Sequence, residues 1–152
     1  MREGYYEEFV SFWSQQPEVR HIWISFFTPQ MGAHDAEILG DELKEKMIVE
    51  FLRLRESYPK LVFSDLIAEG YRRPPNSPDE CIFSRTTLNL TADLKTRVKP
   101  CQFGGDPDCS KGGCIASAGL AAVGNYKLFN IMPLRTIYDL SDKMGHAVKR
   151  NR

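Results

Sequence analysis

The chain has 152 residues, 42% of them hydrophobic and 26% charged, which is the make-up of an ordinary globular chain with room for one domain or a small domain plus an appendage. Twenty basic and twenty acidic residues cancel to a net charge of zero, so the broad positive field of a nucleic-acid or anionic-membrane binder is missing and neither partner is expected. Four cysteines then need a reason, because the polar start Met1-Arg2-Glu3-Gly4-Tyr5-Tyr6-Glu7-Glu8 has no export signal, the expected location is cytoplasmic, and structural disulfides are rare there.

Glu7 to Gln16 carries Phe9, Val10, Phe12 and Trp13 in a helix-like cluster that stops before Pro17. Val19 to Phe27 reads as a strand: Ile22, Ile24 and Phe26 alternate with Trp23, Ser25 and Phe27, and most positions are apolar, as in a strand covered on both faces. Asp41 to Ser57 is the clearest helix, with Leu43, Met47, Phe51 and Leu54 at three- and four-residue steps and Ile48 and Leu52 beside them. Tyr58-Pro59 closes it, and Lys60 to Leu66 is a second short apolar segment. Strand, helix, strand predicts one parallel βαβ unit.

Arg72 to Asp79 contains Pro74-Pro75-Asn76-Ser77-Pro78 and reads as a linker. Thr86 to Thr91 and Arg97 to Cys101 then predict a hairpin around Ala92 to Thr96, and Pro100 to Gly113 is rich in glycine and proline with little apolar content of its own, so something beyond that stretch must order it. Ile115 to Val123 and Pro133 to Met144 read as the last two helices. No apolar stretch approaches the ~20 residues that cross a bilayer.

Nineteen residues separate Cys81 from Cys101, seven separate Cys101 from Cys109, and four separate Cys109 from Cys114. Gly104, Gly105, Gly112 and Gly113 let this loop wrap closely around an inorganic core. Structural zinc prefers two close pairs of ligands, and only Cys109 and Cys114 are that near in sequence, whereas iron–sulfur clusters tolerate wide and uneven spacing. Spacing alone leaves three readings: a cluster, a zinc ion, or small buried hydrophobes.

The segments Cys81-Ile82-Phe83, Asp93-Leu94-Lys95-Thr96, Pro100-Cys101-Gln102-Phe103-Gly104-Gly105 and Pro107-Asp108-Cys109-Ser110-Lys111-Gly112-Gly113-Cys114-Ile115-Ala116-Ser117-Ala118-Gly119-Leu120 resemble the C-terminal auxiliary-cluster region of radical SAM proteins of the SPASM and twitch type. Trp23-Ile24-Ser25-Phe26-Phe27-Thr28-Pro29 and Tyr58-Pro59-Lys60 resemble late strand and helix segments of the partial barrel before that region. The resemblance implies an α/β chain: residues 1–71 as the end of a partial (βα) barrel, 72–80 as the proline-rich linker, 81–147 as a cysteine-rich domain of hairpin and helices around one auxiliary 4Fe-4S cluster, and 148–152 as a basic tail. It implies Cys81, Cys101, Cys109 and Cys114 as ligands. The family pattern is Cys-x-x-Cys-Gly-Cys, and this chain has Gly112 where the second of those cysteines would stand. The C-x3-C-x2-C motif that binds the S-adenosylmethionine cluster is missing as well, since no cysteine precedes Cys81. The chain is therefore expected to be the last part of such an enzyme. S-adenosylmethionine would enter only with the missing barrel, in the same or a separate chain, and an electron-donor protein is the other implied partner. A zinc-stabilised interaction module and an inactive truncation are the alternatives.

Thr28 and Pro29 fall where a parallel strand ends, a position at which α/β folds bind ligands, and are candidates for S-adenosylmethionine or substrate contact. His34 and Glu37 make a H-x-x-E step with no third ligand nearby; His21 reads as a strand-start residue and His146 as part of the basic tail. Ser117 lacks the first glycine of a nucleophile elbow, and Lys111-Gly112 is no P-loop.

Overall fold

The computed structural model describes residues 4–34 and 36–150. Six helices dominate: α1 (Tyr5–Gln15), α2 (Asp41–Ser57), α3 (Asp65–Arg72), α4 (Ile82–Thr86), α5 (Ile115–Asn125) and α6 (Leu134–Arg150). Two small antiparallel hairpins pair β1 (Asn89–Leu90) with β2 (Arg97–Val98), and β3 (Lys127–Leu128) with β4 (Met132–Pro133). The chain is thus a mixed helical and strand protein, α/β in the broad sense.

Helix α2 runs over the predicted residues and buries Met47, Ile48, Phe51 and Leu54, positions that its periodicity aligns on one face. The segments flanking it are much less regular than expected. Val19 to Phe27 does not form the expected strand: only Ile22 makes a strand-like pair, a parallel bridge to Leu61. Its N–H donates to the Lys60 carbonyl at 2.8 Å, and its carbonyl accepts from Val62 N–H at 2.9 Å. The βαβ connection therefore exists at a single rung. Trp23 and Phe27 remain 55% and 45% exposed, so the segment is covered on one face rather than two. The second segment is cut short at Ser64, whose hydroxyl accepts from Ile67 N–H and caps α3, so Leu66 is helical. Thr86, expected in the hairpin, ends α4, and Cys81 caps that short helix instead of leading into a strand.

The core is built from Val10 of α1, Ile22 and Phe26, the inner face of α2, Leu61 and Phe63, and Ile67, Ala68 and Tyr71 of α3, closed by Ala118 and Ala122 of α5. It thus takes residues from both sides of the proline-rich stretch at 72–80. Aromatic rings interlock through it: Phe26 lies 4.7 Å from Tyr71, and Phe63 stacks on Tyr71 at 5.8 Å. Helices α3 and α5 approach closely because Gly70 has no side chain; a Cβ there would lie 2.7 Å from the Ala118 carbonyl oxygen. Arg85 of α4 ties α6 in place through Asp139 at 3.0 Å and Asp142 at 2.6 Å. Among the described residues, no helix is long and apolar enough to cross a membrane. Of the expected basic tail, Asn151 and Arg152 lie outside the described residues, as do the side chains of His146, Val148, Lys149 and Arg150.

Candidate metal centre

The glycine-rich loop is held along one edge by the segment that follows the Ile22 bridge. Phe26 N–H donates to the Gly113 carbonyl and Met31 N–H to the Asp106 carbonyl, each at 2.8 Å. Asp108 N–H returns a bond to the Pro29 carbonyl at 2.8 Å, and Gln30 pairs with Pro107 in an antiparallel bridge. Side chains extend the seam: Thr28 Oγ1 accepts from Gly113 N–H at 3.2 Å, and Gln30 Oε1 accepts from Asp106 N–H at 2.7 Å. The order that the loop's own composition cannot supply thus comes from residues about eighty positions earlier.

Each cysteine is delivered by a different local device. Cys81 precedes α4 and Cys114 precedes α5 as their N-cap residues. Cys101 follows β2 and is buried. Cys109 opens a one-turn 3-10 helix, Cys109–Lys111, whose cap Asp108 accepts from Ser110 Oγ at 2.6 Å and from Lys111 N–H at 3.3 Å. Those bonds, that from Ser110 first, hold the Asp108 carboxyl below the usual range.

All four cysteines are free thiols and all four line one cavity that opens to the surface. Tyr71, Pro74, Pro75, Phe83 and Phe103 supply its apolar walls, Thr28, Gly112 and Ser117 complete the sulfur-bearing side, and no charged residue is among the lining. The sulfurs act on one another electrostatically. Burial pushes the Cys109 thiol up to about 11, and the charges of Cys81, Cys101 and Cys114 push the same way. Burial also raises Cys114, opposed by N–H bonds from Ser117 and Ala116 at the start of α5. Gln102 Nε2 donates to Cys114 Sγ at 3.4 Å, and Cys81 Sγ donates to Ser117 Oγ at 3.5 Å. Tyr71 donates its hydroxyl to the Ile24 carbonyl, and its phenol is pushed far up by burial and by Cys114.

Among the described residues, no group of three or more His, Cys, Asp or Glu is set closely enough to hold a single metal ion. Thr28 joins the cavity lining and is buried; Pro29 is buried beside it, outside that lining, and serves the seam through its carbonyl. His21, His34 and Glu37 are exposed and take no part. Sequence reasoning missed Tyr71 and Gln102. The first reads as an ordinary core aromatic, and the second is one polar residue in a loop.

No protein-family model, no curated protein and no solved structure matches the chain.

Proposed function

We propose that Cys81, Cys101, Cys109 and Cys114 together bind one 4Fe-4S cluster. One observation carries this reading: four cysteines spread over thirty-four residues line a single cavity with apolar walls and no competing charged ligand. Four thiols lining one cavity match the four-thiolate set of such a cluster. Cys81 and Cys114 are the N-cap residues of α4 and α5, and N–H groups of Ser117 and Ala116 partly offset the burial that raises the Cys114 thiol. When bound, such a cluster supplies one-electron transfer or a point at which substrate is anchored.

The reading extends to the cluster-bearing C-terminal part of a radical SAM enzyme acting in the cytoplasm. The support is the run from Pro100 to Leu120 together with the βαβ connection at Ile22 and Leu61. Cleavage of S-adenosylmethionine is not assigned to these residues, because no C-x3-C-x2-C motif is among them. It belongs to a barrel in the same or a separate chain, with a reduced electron-donor protein as the other partner.

Anaerobic reconstitution with iron and sulfide tests the cluster. About four irons and four sulfides per chain, with broad absorbance near ~400 nm, are expected. Cys109→Ser should bleach that absorbance. Stoichiometric zinc without sulfide would instead leave a structural zinc module.

A further inference from the structure

Lys44 is a cation bonded to the cysteine loop and, among the described residues, joined to no carboxylate by an ion pair. It projects from the first turns of α2, and its Nζ donates to the Gly112 carbonyl at 3.0 Å in a partly buried position. Burial pushes its ammonium below the ordinary lysine range; Asp41 opposes this, but no carboxylate among the described residues lies within ion-pair distance. Its neighbours are paired differently: Lys46 bonds Glu42 at 2.7 Å, and Glu45 is taken by Arg72 at 2.6 Å. Removing an ammonium from water with only a main-chain carbonyl in return is unfavourable unless a negative charge lies nearby. The carbonyl it grips is flanked by two candidate ligands. Gly112 N–H bonds the Cys109 carbonyl at 3.0 Å, and Cys114 lies two residues on.

Resting on the cluster reading above, we propose that Lys44 is an electrostatic positioning residue. Its fixed charge, held on the cysteine loop at Gly112, favours the one-electron-reduced form of the bound cluster. Four thiolates give a 4Fe-4S site net negative charge, and reduction adds one more. In that step an external one-electron reductant such as dithionite loses one electron and the cluster gains it, with no bond made or broken. Lys44 touches neither sulfur nor substrate, so its effect is carried by charge through the loop.

The test uses the full chain, reconstituted anaerobically as wild type, Lys44→Arg, Lys44→Gln and Lys44→Met, and titrated with dithionite while the reduced cluster is followed by electron paramagnetic resonance. At the wild-type midpoint, the reduced-to-oxidised ratio of the Gln and Met variants should fall about tenfold, a shift of about 59 mV to more negative potential, while Arg stays within about twofold of wild type. Gln keeps a donor for the Gly112 carbonyl but no charge. A Gln variant with the wild-type midpoint overturns the proposal and leaves Lys44 a loop anchor. If both neutral variants fail to load while Arg loads, the charge is needed for assembly, which supports it; failure of Arg as well overturns it. A wild-type chain that takes up neither iron nor sulfide overturns the cluster reading itself, whereas equal midpoints in loaded proteins overturn only the role of Lys44.

Discussion

Replacing Gly113 by alanine puts a methyl group where there is no room for one. The new Cβ would lie 2.1 Å from Phe26 Cβ and 2.8 Å from Phe26 Cα, against ~3.5–4 Å for an ordinary carbon contact. The obstacle is backbone and the root of a core side chain, so no flexible tip can swing aside. Either the loop lifts or Phe26 retreats into Tyr71 and Phe51, whose rings already lie 4.7 and 6.3 Å away. Lifting the loop breaks the Phe26 N–H bond to the Gly113 carbonyl and the Gly113 N–H bond to Thr28, each worth about 1 kcal/mol. Overpacking adds about 1–3 kcal/mol, so the total is about 3–5 kcal/mol, a large part of a typical domain's ~5–15 kcal/mol. Urea denaturation of the metal-free protein under reducing conditions should show that loss. Gly112→Ala is the control. Its Cβ would meet the Cys109 carbonyl oxygen at 3.0 Å and Thr28 Cγ2 at 3.2 Å, and its backbone angles are ordinary, so about 1 kcal/mol is expected. A Gly113→Ala protein within about 1 kcal/mol of wild type, or one matching Gly112→Ala, would refute the reasoning.

Tyr71→Phe removes the hydroxyl that serves the Ile24 carbonyl and should cost about 1–2 kcal/mol in the same denaturation assay, with the ring packing kept. Arg85→Ala should free α6, read as faster amide exchange across Leu134–Arg150, at a stability cost of only about 1 kcal/mol because both carboxylates are partly exposed. The fold holds Cys109 neutral, its thiol raised from 9.0 to about 11, so the metal-free protein keeps that stabilisation below 9 and loses it as pH rises through about 11. Melting temperature should therefore fall across that interval, and the fall should be smaller in Cys109→Ser.

What could be read from the sequence followed how local its cause was. Helix α2 is set by its own periodicity, and its bounds are those expected. Cysteine spacing left a cluster, a zinc ion and buried hydrophobes all open, whereas the fold places the four cysteines around one cavity. The two flanking strands were overread because an apolar run predicts burial, not the partner that would make it a strand. Phe26 N–H bonds Gly113 rather than a neighbouring strand. Ser64-Asp65 carried a helix start within an apolar run, and the cap outweighed the run. The turn between β3 and β4 was hidden because Phe129, at φ 52°, is an unusual residue for the left-handed region, although Asn130 beside it, at 59°, is a common one. The seam between residues 25–31 and the cysteine loop has no local signature, since main-chain groups make most of it.

That seam also sets an order of events during synthesis. Every core residue except Ala118 and Ala122 precedes Cys81, so the ribosome delivers α1, α2, α3 and the Ile22–Leu61 rung before the first cysteine emerges. When residues 101–114 arrive, the edge from Ser25 to Met31 can already be in place as a template, and the thiols are gathered by backbone bonds that need no metal. The seam thus brings the cysteine loop to its cavity through main-chain bonds made within the chain itself.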